Sequence, residues 1–226
     1  MKIKKLLFAS ALLFSAYNAS AQTQVIAHRG FWKTEGSAQN SIAALLKADS
    51  IGCYGSEFDV WLAADDQLVV NHDPTFKGKR MENSPSTALT AIKLDNGESL
   101  PTLAKYLKAA QPLHTRLILE LKAHSTPLRE TKAIEKIVAL VKDMGLEERM
   151  EYITFSLHAT KEFIRLAPEG TPVYYLDGNL SPKELKELGC AGPDYHYTVF
   201  RKHPEWIQEC HDLGMEMNDL DREQDG

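Results

Sequence analysis

The amino-acid sequence predicts an α/β fold built on a parallel β-sheet. Short apolar segments alternate with amphipathic segments along the chain, which is the pattern of strands connected by helices. The chain has 226 residues, of which 43% are hydrophobic, so it is long and apolar enough to form one domain with a full core. No linker rich in proline, glycine or serine divides residues 22–226, and we therefore expect a single domain there.

The first predicted elements are a strand at residues 25–27 and a helix at 41–50. The strand is a short apolar run. The helix carries its apolar residues on one side, and Asn40 precedes it as a plausible cap. These two elements give the first strand–helix unit of the sheet.

A predicted pair of strands follows at residues 57–63 and 67–71. The short polar segment between them indicates a hairpin-type excursion after the second strand of the main sheet. Residues 73–100 are polar and contain prolines and glycines, so we expect a long insertion over the mouth of a site.

The remaining chain continues the alternation. We predict helices at 101–110, 131–144, 181–188 and 203–213, and strands at 116–122, 151–156, 172–176 and 215–218. We take the segment at 215–218 as the start of a seventh main strand.

Residues 1–21 have the composition of a secretory signal peptide. Three lysines precede the apolar run at 6–14, and Ala-Ser-Ala at 19–21 is a small-residue cleavage site. The run is too short to span a membrane as a helix, and no cysteine directly follows it to carry a lipid anchor. We predict a protein exported across the inner membrane to the periplasm, without a stable membrane anchor.

The charge of the chain excludes one class of partner. The formal net charge is −5, and without the three signal lysines residues 22–226 carry −8. Nucleic-acid binding requires a basic face, so this acidity argues against it. An anionic small-molecule substrate would have to be attracted by local cations.

The three cysteines, Cys53, Cys190 and Cys210, have no spacing typical of a zinc site. The predicted compartment permits disulfides, and at most one internal bridge could form. We interpret the three as free thiols.

Two carboxylates and two histidines stand close to the ends of predicted strands. Glu57 and Asp59 are two residues apart on one strand, so their side chains point the same way. Two carboxylates on one face attract a hard cation. His28 and His72, near the ends of two other strands, can supply proton chemistry beside it.

A further strand repeats this layout. Glu120 and Lys122 share one side of the run at 116–122, and Arg29 follows His28 directly. Carboxylates, histidines and cations at strand ends favour a site for phosphate and metal. Without a cation, three clustered carboxylates would repel one another, and one would take up a proton.

The order of these motifs resembles that of the glycerophosphodiester phosphodiesterase family. The chain reads H-R-G, then E-x-D, then V-V-x-H-D, then L-x-L-E-x-K, and the similarity runs from about residue 25 to 122 and more loosely to 218. The resemblance implies a TIM-like (β/α) barrel and a divalent metal, Ca²⁺ or Mg²⁺. It also implies hydrolysis of glycerophosphodiesters to an alcohol and glycerol 3-phosphate, the reaction of a phosphoric diester hydrolase.

The resemblance also implies roles for the motif residues. It gives metal ligation to Glu57, Asp59 and Glu120, acid–base catalysis to His28 and His72, and binding of the phosphoryl oxygens to Arg29 and Lys122. Which histidine is the acid and which the base stays open. The chain departs from the family where Gln39-Asn40-Ser41 replaces the frequent Glu-Asn-Thr, so position 39 cannot add a charged ligand.

A closed barrel of this kind needs eight strands, and the sequence after residue 218 offers no eighth. We therefore expect a barrel truncated after about seven strands, with an insertion after the second and a C-terminally shortened catalytic domain at 22–226. An open edge beside the first strand would lower stability and favour dimerisation or aggregation.

Two other functions fit parts of the pattern. A phospholipase-D-like enzyme acting on lyso- or phospholipids shares the motifs, but it would need an exposed apolar or basic docking face. A non-catalytic binding protein for phosphate esters needs charge, but it does not need the paired proton donors His28 and His72. Hydrolysis of glycerophosphodiesters is the preferred interpretation.

Overall fold

The computed structural model describes residues 24–220, and the predicted signal peptide at 1–21 lies outside them. The strands are β1 (Ile26–Ala27), β2 (Gly55–Leu62), β3 (Leu68–Val70), β4 (Thr75–Phe76), β5 (Lys79–Arg80), β6 (Arg116–Leu121), β7 (Met150–Thr154), β8 (Val173–Tyr175), β9 (Gly192–His196) and β10 (Asn218–Leu220). The α-helices are α1 (Ile42–Ser50), α2 (Ser86–Thr90), α3 (Leu103–Ala110), α4 (Pro127–Asp143), α5 (Leu157–Leu166), α6 (Pro182–Leu188), α7 (Tyr197–Lys202) and α8 (Glu205–Asp212). Two 3₁₀ turns lie at Met81–Asn83 and Glu147–Arg149.

The main sheet is parallel and follows the order of the chain. Its strands pair as β1-β2-β6-β7-β8-β9-β10, and every pair along this path is parallel. The sheet curls into part of a TIM-like barrel, which confirms the predicted α/β barrel. Within residues 24–220, β1 and β10 form its two ends and do not pair with each other.

The predicted insertion after the second main strand is present and well packed. Strand β3 folds back antiparallel onto β2, and β4 and β5 form a separate small hairpin. Side chains of the insertion bury a second apolar cluster against the end of β2, including Trp61, Val69, Met81, Leu89 and Leu100. The insertion is therefore held in place by its own core.

The main core lies between the sheet and its covering helices. Leu45 of α1, Ile134 of α4 and Phe163 of α5 are fully buried against the sheet, because the apolar side of each helix faces inward. The ring of Phe58 on β2 packs against Tyr106 of α3, with centroids 4.5 Å apart. No helix among the described residues is long and apolar enough to cross a membrane.

The start of α1 differs from the prediction. The cap is Ser41, whose side chain accepts a hydrogen bond from the Ala44 backbone N–H. Asn40 has a left-handed backbone, with φ of 59°, and its side chain bonds elsewhere. The prediction of Asn40 as the cap was wrong because both residues are good caps and the loop geometry selects the second.

Strand β9 and helix α5 were not predicted, and the last strand was placed too early. The segment Gly-Pro-Asp-Tyr-His of β9 has no β-branched residue, so it lacks the usual strand signal. Gly192 is needed there because a Cβ atom would lie 1.7 Å from the Glu216 carbonyl oxygen. The final strand is β10 at Asn218–Leu220, three residues beyond the predicted start at 215.

The three cysteines are free thiols, as interpreted from the sequence. Cys190 and Cys210 are buried, and Cys53 is half-buried. Burial raises the pKa of the Cys190 and Cys210 thiols to about 11, so both are poor nucleophiles at neutral pH.

Candidate active site

Three buried carboxylates meet on neighbouring strands of the barrel. Glu57 and Asp59 project from the same side of β2, and the register of the sheet places Asp59 beside Glu120 of β6. One oxygen of each group lies within 4.8 Å of an oxygen of the other two. Their residues are only 3%, 0% and 6% exposed, so the cluster is shielded from water.

Lys122 is the cation closest to this acidic cluster in the described chain. Its Nζ lies 3.2 Å from Asp59 Oδ1 and 2.8 Å from Glu120 Oε1. These two oxygens form ion pairs with the ammonium but lack hydrogen-bond geometry. Glu57 Oε1 is buried and has no hydrogen-bond partner within residues 24–220. One ammonium therefore leaves part of the acidic cluster uncompensated.

Asn40 holds Asp59 in place, and sequence analysis missed this role. Asn40 Nδ2 donates to Asp59 Oδ2 at 2.8 Å, and the Asp59 backbone N–H donates to Asn40 Oδ1 at 3.0 Å. Both residues are fully buried. The available signal was an asparagine before a helix, a residue type that tolerates a left-handed backbone.

The three carboxyl groups of the acidic cluster have different pKa values. Burial disfavours the Asp59 carboxylate, but Lys122 and His72, together with the Asn40 hydrogen bond and Arg29, outweigh burial and lower its pKa. Burial, reinforced by the two neighbouring carboxylates, raises the pKa of Glu57 well above its usual range. Burial and the charge of Asp59 raise the pKa of Glu120 to about 7. The acidic cluster resists full ionisation without an added cation.

The loop after β1 brings Arg29 and His28 to Glu57. The Arg29 backbone N–H donates to Glu57 Oε2 at 2.7 Å, and His28 Nε2 lies 3.8 Å from the same oxygen. Arg29 and Gly30 both have left-handed backbones, with φ of 57° and 76°. A Cβ atom at Gly30 would lie 2.6 Å from that of Ala44, which explains the glycine of the H-R-G motif.

The side chain of Arg29 explains the glutamine at position 39. Arg29 Nη1 donates to Gln39 Oε1 at 2.7 Å, so this side chain orients the guanidinium. Arg29 Nε is buried and has no hydrogen-bond partner in the described chain. A buried donor without a partner is costly, and an anion bound there would satisfy it.

His72 follows β3, two residues beyond the end of that strand at Val70. Its Nδ1 lies 2.8 Å from Asp73 Oδ1, and its backbone oxygen accepts a hydrogen bond from Trp61 Nε1 at 3.3 Å. The His72 side chain is 32% exposed. His72 is one of the groups that lower the pKa of Asp59.

A cavity of about 310 Å³ opens beside His72. It lies between the loop after β1 and the insertion, and its lining includes Trp32, Gln39, Asn40, His72 and Phe76. His28 does not line it. A larger cavity of about 500 Å³ lies near the starts of β8, β9 and β10 and contains none of the predicted site residues.

The fold and the site define a TIM-barrel enzyme that hydrolyses phosphoric diesters. The chain is 53% identical to a glycerophosphodiester phosphodiesterase of known crystal structure from Parabacteroides distasonis, with 89% of this chain and 84% of that one covered and a TM-score of 0.86. It belongs to the glycerophosphodiester phosphodiesterase family. The membership agrees with the motif resemblance and disfavours a non-catalytic binding protein.

More distant relatives agree. A glycerophosphodiester phosphodiesterase from Caldanaerobacter subterraneus subsp. tengcongensis is 28% identical over 211 residues, which are 87% of this chain and 84% of the relative. A phosphodiesterase from Oleispira antarctica, solved in complex with the product sn-glycerol-3-phosphate, shares the fold with a TM-score of 0.68 at 23% identity, with 87% of this chain and 92% of that one covered. No family model matches the chain.

Proposed function

We propose that the protein hydrolyses glycerophosphodiesters to an alcohol and glycerol 3-phosphate with the help of a divalent cation, Ca²⁺ or Mg²⁺. The observation that carries the proposal is the acidic cluster of Glu57, Asp59 and Glu120, with oxygens within 4.8 Å of one another and Glu57 Oε1 buried without a partner. The product bound to the Oleispira relative supports the substrate class.

The residues present fit a hard cation. All three candidate ligands are carboxylates, which Ca²⁺ and Mg²⁺ prefer, and the described chain brings no cysteine to the acidic cluster. The burial that raises the pKa values of Glu57 and Glu120 would be offset by an added positive charge. When bound, a divalent cation supplies Lewis-acid stabilisation of a phosphoryl oxygen.

We assign the proton transfers to His28 and His72, the roles that the resemblance implies. One histidine takes the proton of the substrate's adjacent glycerol hydroxyl as that oxygen attacks phosphorus. The bond from phosphorus to the leaving alcohol then breaks, and the other histidine protonates the alcohol oxygen. Water opens the resulting cyclic phosphate with the proton transfers reversed, which yields glycerol 3-phosphate.

Arg29 and Lys122 supply positive charge for the phosphoryl oxygens. The unpartnered Nε of Arg29 supports an anion-binding role, and Gln39 holds the guanidinium in one orientation. The Lys122 ammonium already lies against two carboxylates, so it is placed at the edge of the acidic cluster. Cations aimed at the developing charge stabilise the transition state of phosphoryl transfer.

The test is a hydrolysis assay on the purified protein. Glycerophosphocholine, glycerophosphoethanolamine, glycerophosphoinositol and a lysophospholipid are each supplied with Ca²⁺, Mg²⁺ or EDTA, and glycerol 3-phosphate and free head group are quantified. We expect glycerol 3-phosphate from at least one glycerophosphodiester with a cation and none with EDTA. Full activity in EDTA contradicts the metal requirement, and turnover of the lysophospholipid alone favours the phospholipase-D-like alternative.

We also propose that residues 1–21 direct export to the periplasm. The proposal rests on the lysines, the apolar run and the Ala-Ser-Ala site in the sequence. The measurement is the intact mass of the protein recovered from a periplasmic fraction of cells that express the full chain. A mature mass that begins at Gln22 supports the proposal, and an unprocessed protein in the cytoplasm contradicts it.

A further inference from the structure

The hydrogen-bond ladder between β2 and β6 changes just beyond the acidic cluster. Val60 pairs with Leu121, and the Lys122 N–H donates to the Val60 oxygen at 3.2 Å. In a parallel ladder the next hydrogen bond would run from the Leu62 N–H to the Lys122 oxygen. Instead, the Leu62 N–H donates to Nε2 of His124 at 2.9 Å, and Nδ1 of the same ring lies 2.6 Å from the Lys122 oxygen.

These two contacts determine the protonation of the His124 ring. A backbone N–H can only donate, so Nε2 must be the acceptor. A carbonyl oxygen can only accept, so Nδ1 must carry the proton. The neutral ring with its proton on Nδ1 satisfies both partners, whereas a charged ring would direct a second N–H at the Leu62 N–H.

The charged groups around His124 are themselves paired. Arg129 of α4 donates to Glu82 at 2.9 Å and to the Leu62 oxygen at 2.7 Å. Glu130 Oε1 accepts a hydrogen bond from the His124 backbone N–H at 3.2 Å. Glu82, Arg129 and Glu130 therefore bond to one another's neighbours and to the His124 backbone, and they leave the ring nitrogens to the Leu62 N–H and the Lys122 oxygen.

The same ring connects to both halves of the proposed catalytic apparatus. It packs against Trp61 with centroids 5.3 Å apart, and Trp61 Nε1 donates to the backbone oxygen of His72. Its other contact holds the backbone of Lys122, whose ammonium lies between the carboxylates of Asp59 and Glu120. A shift of this ring would therefore be transmitted to the backbone of Lys122 directly and to that of His72 through Trp61.

We propose that His124 is a positioning residue whose neutral imidazole replaces one hydrogen bond of the β2–β6 ladder and sets the spacing of the strand ends that carry the site. Its effect on catalysis rests on the proposed function.

The first test is nitrogen NMR of the wild-type protein with ¹⁵N-labelled histidine. We expect the His124 ring to be neutral at pH 7, with its proton on Nδ1 and an unprotonated Nε2. A proton on Nε2 overturns the proposal, because the ring could then not accept from the Leu62 N–H. This measurement needs neither substrate nor a variant, so it stands even if the proposed function fails.

The second test compares three substitutions of His124 by steady-state kinetics on glycerophosphocholine. His124→Phe keeps the ring but removes both hydrogen bonds, and we expect kcat to fall about 10–100-fold with little change in KM. His124→Gln keeps an acceptor near the Nε2 position, and His124→Asn keeps a donor near Nδ1. We expect each to retain more activity than His124→Phe.

The control is His211→Phe on α8, where the histidine is exposed and is not one of the proposed site residues. It should match the wild type. Wild-type kcat in His124→Phe overturns the proposal, as does equal loss in all three variants with an unchanged melting temperature. If His124→Phe fails to fold, a fourth variant, His124→Ala, replaces it as the reference. Activity in His124→Gln and His124→Asn that is no better than in His124→Ala then contradicts the proposal.

Discussion

Asp59 is held as an anion, whereas the two glutamates beside it resist ionisation. Asn40 donates to one oxygen of Asp59, and Lys122 lies against the other. Glu57 accepts the Arg29 backbone N–H on Oε2, and its Oε1 has no hydrogen-bond partner among the residues that the structure describes. A buried acidic group that accepts fewer hydrogen bonds is more costly to ionise. Full ionisation of the three carboxylates is therefore more favourable with a cation bound than without one.

His72 provides a sharp test of the proton-transfer roles. His72→Ala should lower turnover by about 10²–10⁴-fold, the range for an acid–base group, while metal binding is retained. We expect the bell-shaped pH profile of kcat/KM to lose one limb. The measurement is steady-state turnover against pH, with the exposed His114→Ala as control. Turnover within about tenfold of the wild type would exclude His72 as a catalytic group.

At this scale the sequence predicted the residues that lie on strands better than those in loops. Glu57 and Asp59 share a face because side chains alternate along a strand, and this rule needs no tertiary information. The contact of Asn40 with Asp59 depends on a left-handed backbone in the loop after β1. No local pattern specifies that contact, because it joins residues 19 positions apart.

A carboxylate of the insertion binds the first turn of α1. Glu98 accepts hydrogen bonds from the backbone N–H groups of Ile42 and Ala43, at 3.0 and 3.1 Å. These are two of the donors that a helix leaves unpaired in its first turn. Glu98 therefore complements the Ser41 cap and places a wall of the cavity against the loop that carries Asn40.

We expect Glu98→Ala to lower the free energy of unfolding by about 2 kcal/mol, because hydrogen bonds from a helix N-terminus to a charged group are lost. The measurement is equilibrium denaturation in urea, and Glu98→Gln should lose less because one acceptor remains. Exposed Glu35→Ala is the matched control. Equal free energies of unfolding for Glu98→Ala and the control would show that the hydrogen bonds from Glu98 to α1 do not stabilise the fold.

Most elements were predictable because their hydrophobic periods are long and clear, as in α4 and β6. Strand β9 was not, since Gly192 and Pro193 weaken the local strand signal and its place in the sheet comes from pairing with β8 and β10. Strand propensity depends on such neighbours more than helix propensity does. The insertion's location was clear from its composition, but its attachment to α1 was not.

The barrel buries three acidic groups in a chain that is already acidic. Its stability should therefore depend on pH and on cations together. Glu120 has a pKa of about 7 in the folded metal-free protein, above the ordinary value of 4.5. Its stabilising contribution is fully present below pH 4.5 and is lost as pH rises through 7.

The loss of stability with rising pH gives a prediction for Glu120→Gln in EDTA. The variant and the wild type should have similar melting temperatures at pH 5, where the folded wild type keeps Glu120 protonated. At pH 8 the wild type should melt at a lower temperature than the variant, and added Ca²⁺ should reverse that order. Thermal melts from pH 5 to 8 measure this, and a difference that does not vary with pH contradicts the assignment.

We expect hydrolysis to depend on a cation bound by Glu57, Asp59 and Glu120. The most direct measurement is a titration of the metal-free enzyme with Ca²⁺ and with Mg²⁺, in which heat of binding and release of glycerol 3-phosphate are followed in parallel. For at least one cation, we expect activity to rise with the same dependence on cation concentration as binding to one site. Each of Glu57→Gln, Asp59→Asn and Glu120→Gln should lower both the cation affinity and the activity by at least about tenfold. Unchanged cation affinity in all three variants, or full activity before any cation is added, would contradict this cation site.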